Sequence, residues 1–329
     1  AHSSMSLFLP MLLSPLHMSL RPGAEVLVLG KGPVMLLAAK LAALRGYRTT
    51  CAVTEELRDG TKLLYNEHTP AGSLPLTLLP ASPATPGFDR EQAYATIAAA
   101  EGVVIAFDEL NAGQTALDAS VLDTWLNPGR SSVQHISLMS RFCNGAGMGF
   151  WASAAKKGAN PEVWAAAEAQ VRAHRAGEAA MVARARALGA SHTIIRAGTL
   201  KGGGNGGSLA ATSEGKGDRR FLDEYYYSTG QVDYANWRLI FDANTLGVQL
   251  ERGDTMPGPG ATAVLTATSP DVAAGDSGRG AVAEALVVAL GSEAAADRDF
   301  SVGTAKGTSA PSAEEWARMF AACAPEGGC

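Results

Sequence analysis

Residues 24–53 read AEVLVLGKGPVMLLAAKLAALRGYRTTCAV, and this stretch decides the fold. Residues 25–29 form a short apolar run, Gly30-Lys31-Gly32 breaks it, and residues 34–44 are apolar nearly all round, as a helix buried against a sheet must be. Gly46 closes the helix. Residues 48–53 then supply a second strand, so the unit is strand, glycine turn, helix, strand: half of a dinucleotide-type α/β sheet.

A dinucleotide fingerprint asks for glycine at the tight turn, at the approach to the pyrophosphate, and where helix packs on strand. Gly30 and Gly32 can serve the first two, with Lys31 between them, but Met35 stands where the third glycine belongs. Pro33 suits a first helical position. It also removes a backbone N–H that would otherwise face a phosphate. A glycine turn with no ligand remains the alternative.

Strand and helix signals keep alternating outward from this unit. Residues 74–79 and 102–107 (GVVIAF) read as strands, 89–100 as a helix, and 112–126 as a helix closed by Asn127-Pro128-Gly129. A strand is expected at 133–139, a long Ala-rich helix from Pro161 to about Leu188, and a sixth strand at 191–196. A Gly-rich run at 202–207 follows, and Ser277 is expected to cap a late helix with Arg279 just inside it. The pattern implies an α/β fold with a doubly wound, mostly parallel sheet and a small C-terminal lobe. Three regions are expected: an apolar extension at 1–23, a nucleotide-binding-type domain at 24–200, and 201–329 completing the same fold, with residues 198–270 forming the smaller lobe.

Composition narrows the function classes. With 329 residues, 47% hydrophobic and 18% charged, the chain can bury a large core. A formal net charge of −5, with no basic stripe among aromatics, speaks against a nucleic-acid surface. Cys51, Cys143, Cys323 and Cys329 make no CxxC pair and have no His at metal spacing, so no metal site is expected. Cys51 reads as a buried small hydrophobe, while Cys323 and Cys329 are open to either a terminal bridge or free thiols.

Residues 1–20 contain no Asp, Glu, Lys or Arg, and Pro10 and Pro15 interrupt them, so a membrane-spanning helix is not expected. The apolar side chains of Phe8, Leu9, Leu12 and Leu13 must be covered by the chain's own domain, by a partner protein, or by a membrane surface peripherally.

The segment VLVLGKGPVMLLAAKLAALRGYRTTCAV, the strand VQHISLMS, the stretch RAHRAGEAAMVARARALGASHTIIRAGTL and the late GDSGRGAVAEALVVAL together resemble the atypical short-chain dehydrogenase/reductases of the NAD(P)-binding, NmrA-like group. The correspondence runs in order from about Ala24 to Phe320. It implies a Rossmann-like fold and NAD or NADP as cofactor. The stretch LDEYYYSTGQVDYANWRLIFDANTLGVQLERGD looks like an insertion found in plastid members, which implies a plastid location, with the cytoplasm as the alternative.

Carried over residue by residue, the resemblance breaks at the chemistry. A Tyr-x-x-x-Lys pair supplies the family's acid/base, and in QVRAHRAGE those places hold Gln170 and His174. Ser140 stands in the catalytic-serine region beside Arg141, Ala197 replaces a proline after Arg196, and Pro80-Ala81 replaces the Gly-Asp that meets adenine. Ser140, Gln170 and His174 are thus the catalytic candidates. The family's NADP-selecting Arg after the second strand is Thr54 here, and Glu55 and Glu56 follow it, so a carboxylate there favours NAD, whereas Arg58 would reverse that preference. Gly30, Lys31, Gly32, Glu55, Arg58 and Arg196 are the cofactor-binding candidates, Arg196 as an anion ligand or a structural ion pair. His174 is expected to be half-exposed, and His135 to be packed or hydrogen-bonded in its strand.

Two functional classes follow. One is a fold-keeping protein with an eroded catalytic motif that acts as a structural or assembly subunit, binding dinucleotide weakly or not at all. The other is an NAD(P)H-dependent oxidoreductase or isomerase acting on a small organic substrate. The joint loss of several features at one site favours the first.

Overall fold

The structure is a computed structural model that describes residues 19–55, 61, 64, 72–108, 124–126, 129, 131–141, 154, 168–201, 247–254, 276–305, 307 and 310–323. The strands are β1 (Glu25–Lys31), β2 (Arg48–Val53), β3 (Leu76–Pro80), β4 (Gly102–Phe107), β5 (His135–Arg141), β6 (Ser191–Ala197), β7 (Thr199–Lys201), β8 (Gly247–Arg252), β9 (Asp276–Gly278) and β10 (Arg298–Ala305). The longer helices are α1 (Pro33–Leu44), α2 (Arg90–Ala99), α3 (Glu168–Leu188), α4 (Arg279–Leu290) and α5 (Ala313–Ala322).

Eight strands form one sheet in the order β3-β2-β1-β4-β5-β6-β10-β8. All neighbours are parallel except β10 and β8. Strand order reverses between β1 and β4, and in such sheets ligands bind beyond the carboxyl ends at that reversal. The expected doubly wound α/β sheet is therefore present.

Alternation along β1 divides the core. Val26 and Val28 face the layer of α1, α4 and α5, whereas Leu27 and Leu29 face Ile97, Trp125 and Met181 on the other side. Every residue of α1 from Pro33 to Ala43 is buried, Lys40 included, because the helix lies between the sheet and α4. Arg45, just past its last turn, pairs with the fully buried Glu284 of α4 at 2.9 Å. Gly46 follows at φ +84, as a helix-ending glycine should.

Several boundaries differ from the sequence expectation. β1 runs on through Gly30 to Lys31, because its pairing with β4 continues to Lys31↔Phe107. Ser277 is not the cap of α4. It lies in β9, its Oγ donates to the Val302 carbonyl and accepts from Gly198 N–H, and Gly278 takes the N-cap place. The end of the insertion-like stretch is the edge strand β8 of the main sheet. The helix expected over 112–126 lies outside the described residues except for 124–126, and the Gly-rich run lies wholly outside them; the helix expected from Pro161 is described from Glu168 as α3 and ends at Leu188 as expected.

The N-terminal extension has joined the domain by Leu20. Its side chain is buried in the core beside Gly102 and Leu290, and its N–H donates to Leu290 O at 3.1 Å. Phe8, Leu9, Leu12 and Leu13 lie outside the described residues. Cys51 is free and buried, its thiol pushed up to about 12 by desolvation, which suits an inert core residue. Cys323 is disulfide-bonded, and Cys143 and Cys329 are outside the described residues. Among the described residues no helix is long and apolar enough to cross a membrane, and no cluster of metal-ligating side chains is present.

Candidate functional site

Both glycines of the fingerprint have reasons that involve no ligand. Gly30 sits at φ +137 opposite Ala106, and a Cβ there would lie 1.8 Å from the Ala106 carbonyl oxygen. Gly32 sits at φ +109, where a Cβ would lie 2.6 Å from Asp108 Oδ1 and 2.7 Å from Asp108 Cβ. Gly32 thus makes room for Asp108, the residue immediately after β4. Val34 N–H donates to Asp108 Oδ1 at 3.0 Å, and Pro33 ahead of it has no N–H. One donor of the α1 N-terminus is missing and the next is held by a carboxylate.

Two guanidiniums complete this cluster. Arg279, first residue of α4, brings Nε to 3.4 Å from Asp108 Oδ2. Arg141, buried at the end of β5, donates to the Asp108 and Gly198 carbonyls and so braces β4 to the segment after β6. Burial pushes the Asp108 carboxyl upward in pKa, against the pull of Arg279, Arg141 and the Val34 N–H. Asp108 escaped the sequence reading; the available signal was an acidic residue directly after the all-apolar GVVIAF strand.

Among the described residues, Ser140 and His174 sit in a charged knot around Glu178. Ser140 Oγ donates to Glu178 Oε1 at 2.6 Å. Arg196 donates to both oxygens of Glu178, at 3.1 and 2.9 Å, and also pairs with Asp299. Arg175 joins Glu178 to Asp254. Burial pulls the Arg196 pKa down, but the hydrogen bonds and charges of Glu178 and Asp299 outweigh it and keep the guanidinium protonated. Of the two roles open to Arg196, the geometry is that of the ion pair. The cavity among Phe107, Met139, Ser140, Arg141, His174 and Glu178 is about 20 Å³, room for about one water.

His174 is buried in this knot rather than half-exposed. Desolvation, with Arg141 and Arg175 nearby, lowers its pKa to about 4 despite Glu178. It is a neutral imidazole at pH 7 and cannot supply the fixed charge of a lysine. Gln170 lies in the first turn of α3, and its side chain is outside the described residues. His135 is hydrogen-bonded within the sheet, Nε2 to Thr193 Oγ1 at 2.9 Å and Nδ1 to Ser191 Oγ at 2.8 Å.

The depressed His174 pKa predicts a pH effect on stability. The unfolded chain takes up the proton below 6.5, whereas the folded one resists it until about 4. The contribution is complete above the unfolded value and disappears as pH falls through that window, a loss of about 2 to 3 kcal/mol. Urea melts at neutral pH and near the lower end of the window should show it, and His174→Gln should remove most of the difference.

A larger cavity of about 240 Å³ opens at the carboxyl ends of β2 and β3, lined by Val53, Thr54, Glu55, Leu78, Pro80 and Thr85. Glu55 is exposed at its rim, and Thr54 Oγ1 is buried without a hydrogen-bond partner. Glu56 and Arg58 lie outside the described residues. Lys31 ends β1, half-buried, next to Gly32. Asp108 is seated at the α1 N-terminus, on the Val34 N–H.

No protein-family model matches the sequence, and no curated protein matches it. Solved structures match by chain path. A protein assigned as an NAD-dependent epimerase/dehydratase from Bacillus halodurans is 13% identical, with 91% of this chain and 99% of that one covered, at a TM-score of 0.46. The UDP-glucose 4-epimerase of Thermotoga maritima, solved with UDP-glucose, is 11% identical over 90% of this chain and 81% of its own, at 0.42. Vestitone reductase from alfalfa is 17% identical over 54% and 57%, at 0.36. At these identities the likeness gives no residue a role.

Proposed function

We propose that this chain keeps a dinucleotide-type α/β fold without dinucleotide-dependent turnover and serves as a structural or assembly subunit of a larger protein complex. The observation that carries this reading is the Asp108 carboxylate on the Val34 N–H, beside a proline that has no donor. A dinucleotide would have to displace a buried, ion-paired carboxylate to reach the helix N-terminus, and would bring like charge toward it. The knot around Ser140, His174 and Glu178 supports the same reading, since His174 is neutral at pH 7 and cannot carry a lysine's charge, and the cavity among these described residues is about 20 Å³. The docking element in this proposal is the apolar arm with Phe8, Leu9, Leu12 and Leu13, and the compartment is a plastid, which rests on the insertion-like stretch alone.

One observation favours the second reading, an NAD(P)H-dependent oxidoreductase or isomerase: the cavity beside Glu55 at the ends of β2 and β3. Calorimetry of the purified chain with NADH and NADPH separates the two. The expected result is no saturable binding to either dinucleotide and no turnover with quinones, aldehydes or ketones; a tight complex with either would end the first reading. The docking half is tested by truncation after Met18, which spares Leu20. Complex formation should be lost while the melting temperature stays the same, and a lowered melting temperature would assign the arm to its own core.

A further inference from the structure

We propose that Ser191 is an activated nucleophile with His135 as its general base, and that it takes an acyl group from neutral activated esters. The site lies at the amino ends of β5 and β6, the opposite end of the sheet from Gly32 and Ser140, and the inference goes beyond the reading above without resting on it. His135 opens β5, Ser191 opens β6, and the two are paired in register, so their side chains leave the same face of the sheet. His135 is buried and Ser191 half-buried.

The hydroxyl protons decide the roles. Thr193 Oγ1 donates its one hydrogen to the Ala295 carbonyl at 2.7 Å, so toward His135 Nε2, 2.9 Å away, it accepts. The ring proton therefore sits on Nε2, and the bare Nδ1 faces Ser191 Oγ at 2.8 Å. A hydroxyl, a base and a third group that orients the base are the arrangement of an activated nucleophile. Thr193 is itself fixed: it is buried, and its acceptor belongs to the short helical turn Glu293–Ala295 ahead of β10.

The neighbours of Ser191 Oγ set the chemistry it can take. Besides Nδ1 it meets the Gln134 carbonyl at 3.1 Å, so both of these partners are acceptors. Neither can hold the oxygens of a phosphoryl group, which leaves a neutral acyl donor with a good leaving group. In the step, Ser191 Oγ bonds to the acyl carbon, its proton passes to His135 Nδ1, and the bond from the acyl carbon to the leaving oxygen breaks. The leaving oxygen then takes that proton from Nδ1. Because neither partner donates to an oxyanion, the acyl-serine persists as a modification instead of turning over.

The test treats the full chain with p-nitrophenyl acetate and follows nitrophenolate release together with acetylation by peptide mass mapping. Ser312, the exposed cap of α5, is the internal reference. In the wild type, acetylation of Ser191 at least about tenfold faster than that of Ser312 is expected. His135→Gln should bring Ser191 down to the Ser312 rate, and Thr193→Val, which removes the orienting hydroxyl at nearly constant shape, should slow it as well. Circular dichroism checks that the variants are folded, and the wild-type ratio decides the proposal even where a variant is not. Equal rates at the two serines, acetylation confined to other residues, or an unchanged Ser191 rate in folded His135→Gln overturns it.

Discussion

Replacing Glu178 by alanine is expected to cost about 3 to 5 kcal/mol of stability, because it strips a buried carboxylate from Arg196 and Arg175 at once. Arg196 is 6% exposed, so its guanidinium cannot recover the lost partner from water. It would keep only Asp299, and Ser140 Oγ would lose its acceptor. Equilibrium denaturation is the measurement, with Glu178→Gln as the conservative partner: it preserves shape and should recover part of the loss. A cost below about 1 kcal/mol for the alanine variant would mean that the knot behaves as an exposed ion pair does. Such a result would also reopen Arg196 as a residue available to a ligand anion.

Gly30→Ala should be more damaging still, with an expected loss above about 4 kcal/mol and a largely unfolded product. The new Cβ would stand 1.8 Å from the Ala106 carbonyl oxygen, at a φ of +137 that L residues rarely adopt. Relief requires β1 and β4 to separate in the middle of the sheet. Gly46→Ala is the control. Its φ is +84 but its nearest neighbour is 3.5 Å away, so only the backbone penalty of about 1 kcal/mol applies. Circular dichroism and thermal melting of the two variants should separate clash from backbone strain, and similar melting temperatures would contradict the account. The comparison bears on function too, since it accounts for Gly30 by strand packing alone.

The sheet was legible in the sequence because burial on both faces leaves a local trace. Strands GVVIAF and RTTCAV have the expected limits, Asp89 caps α2 just ahead of Arg90, and Gly46 follows α1. Each is decided by side chains within a few residues of each other. The errors fall where the deciding partner is distant in sequence. β1 passes through Gly30 because β4 pairs with it, and Ser277 turns from helix cap to brace because Gly198 and Val302 reach it.

The candidate site divides along the same line. Sequence alone determined that Met35 removes the third fingerprint glycine and that Pro33 withholds a donor. Both follow from residue chemistry wherever the side chains point. It could not fix that Asp108, 74 residues from Val34, caps α1, or that Gly32 exists to admit it. Nor could it pair Glu178 with Arg196, 18 positions away on the next strand, or bury His174 among arginines until its pKa falls to about 4. Apolar periodicity is written locally, whereas the partner of a buried charge is set by which strand ends the sheet order brings together, and only the tertiary structure states that order.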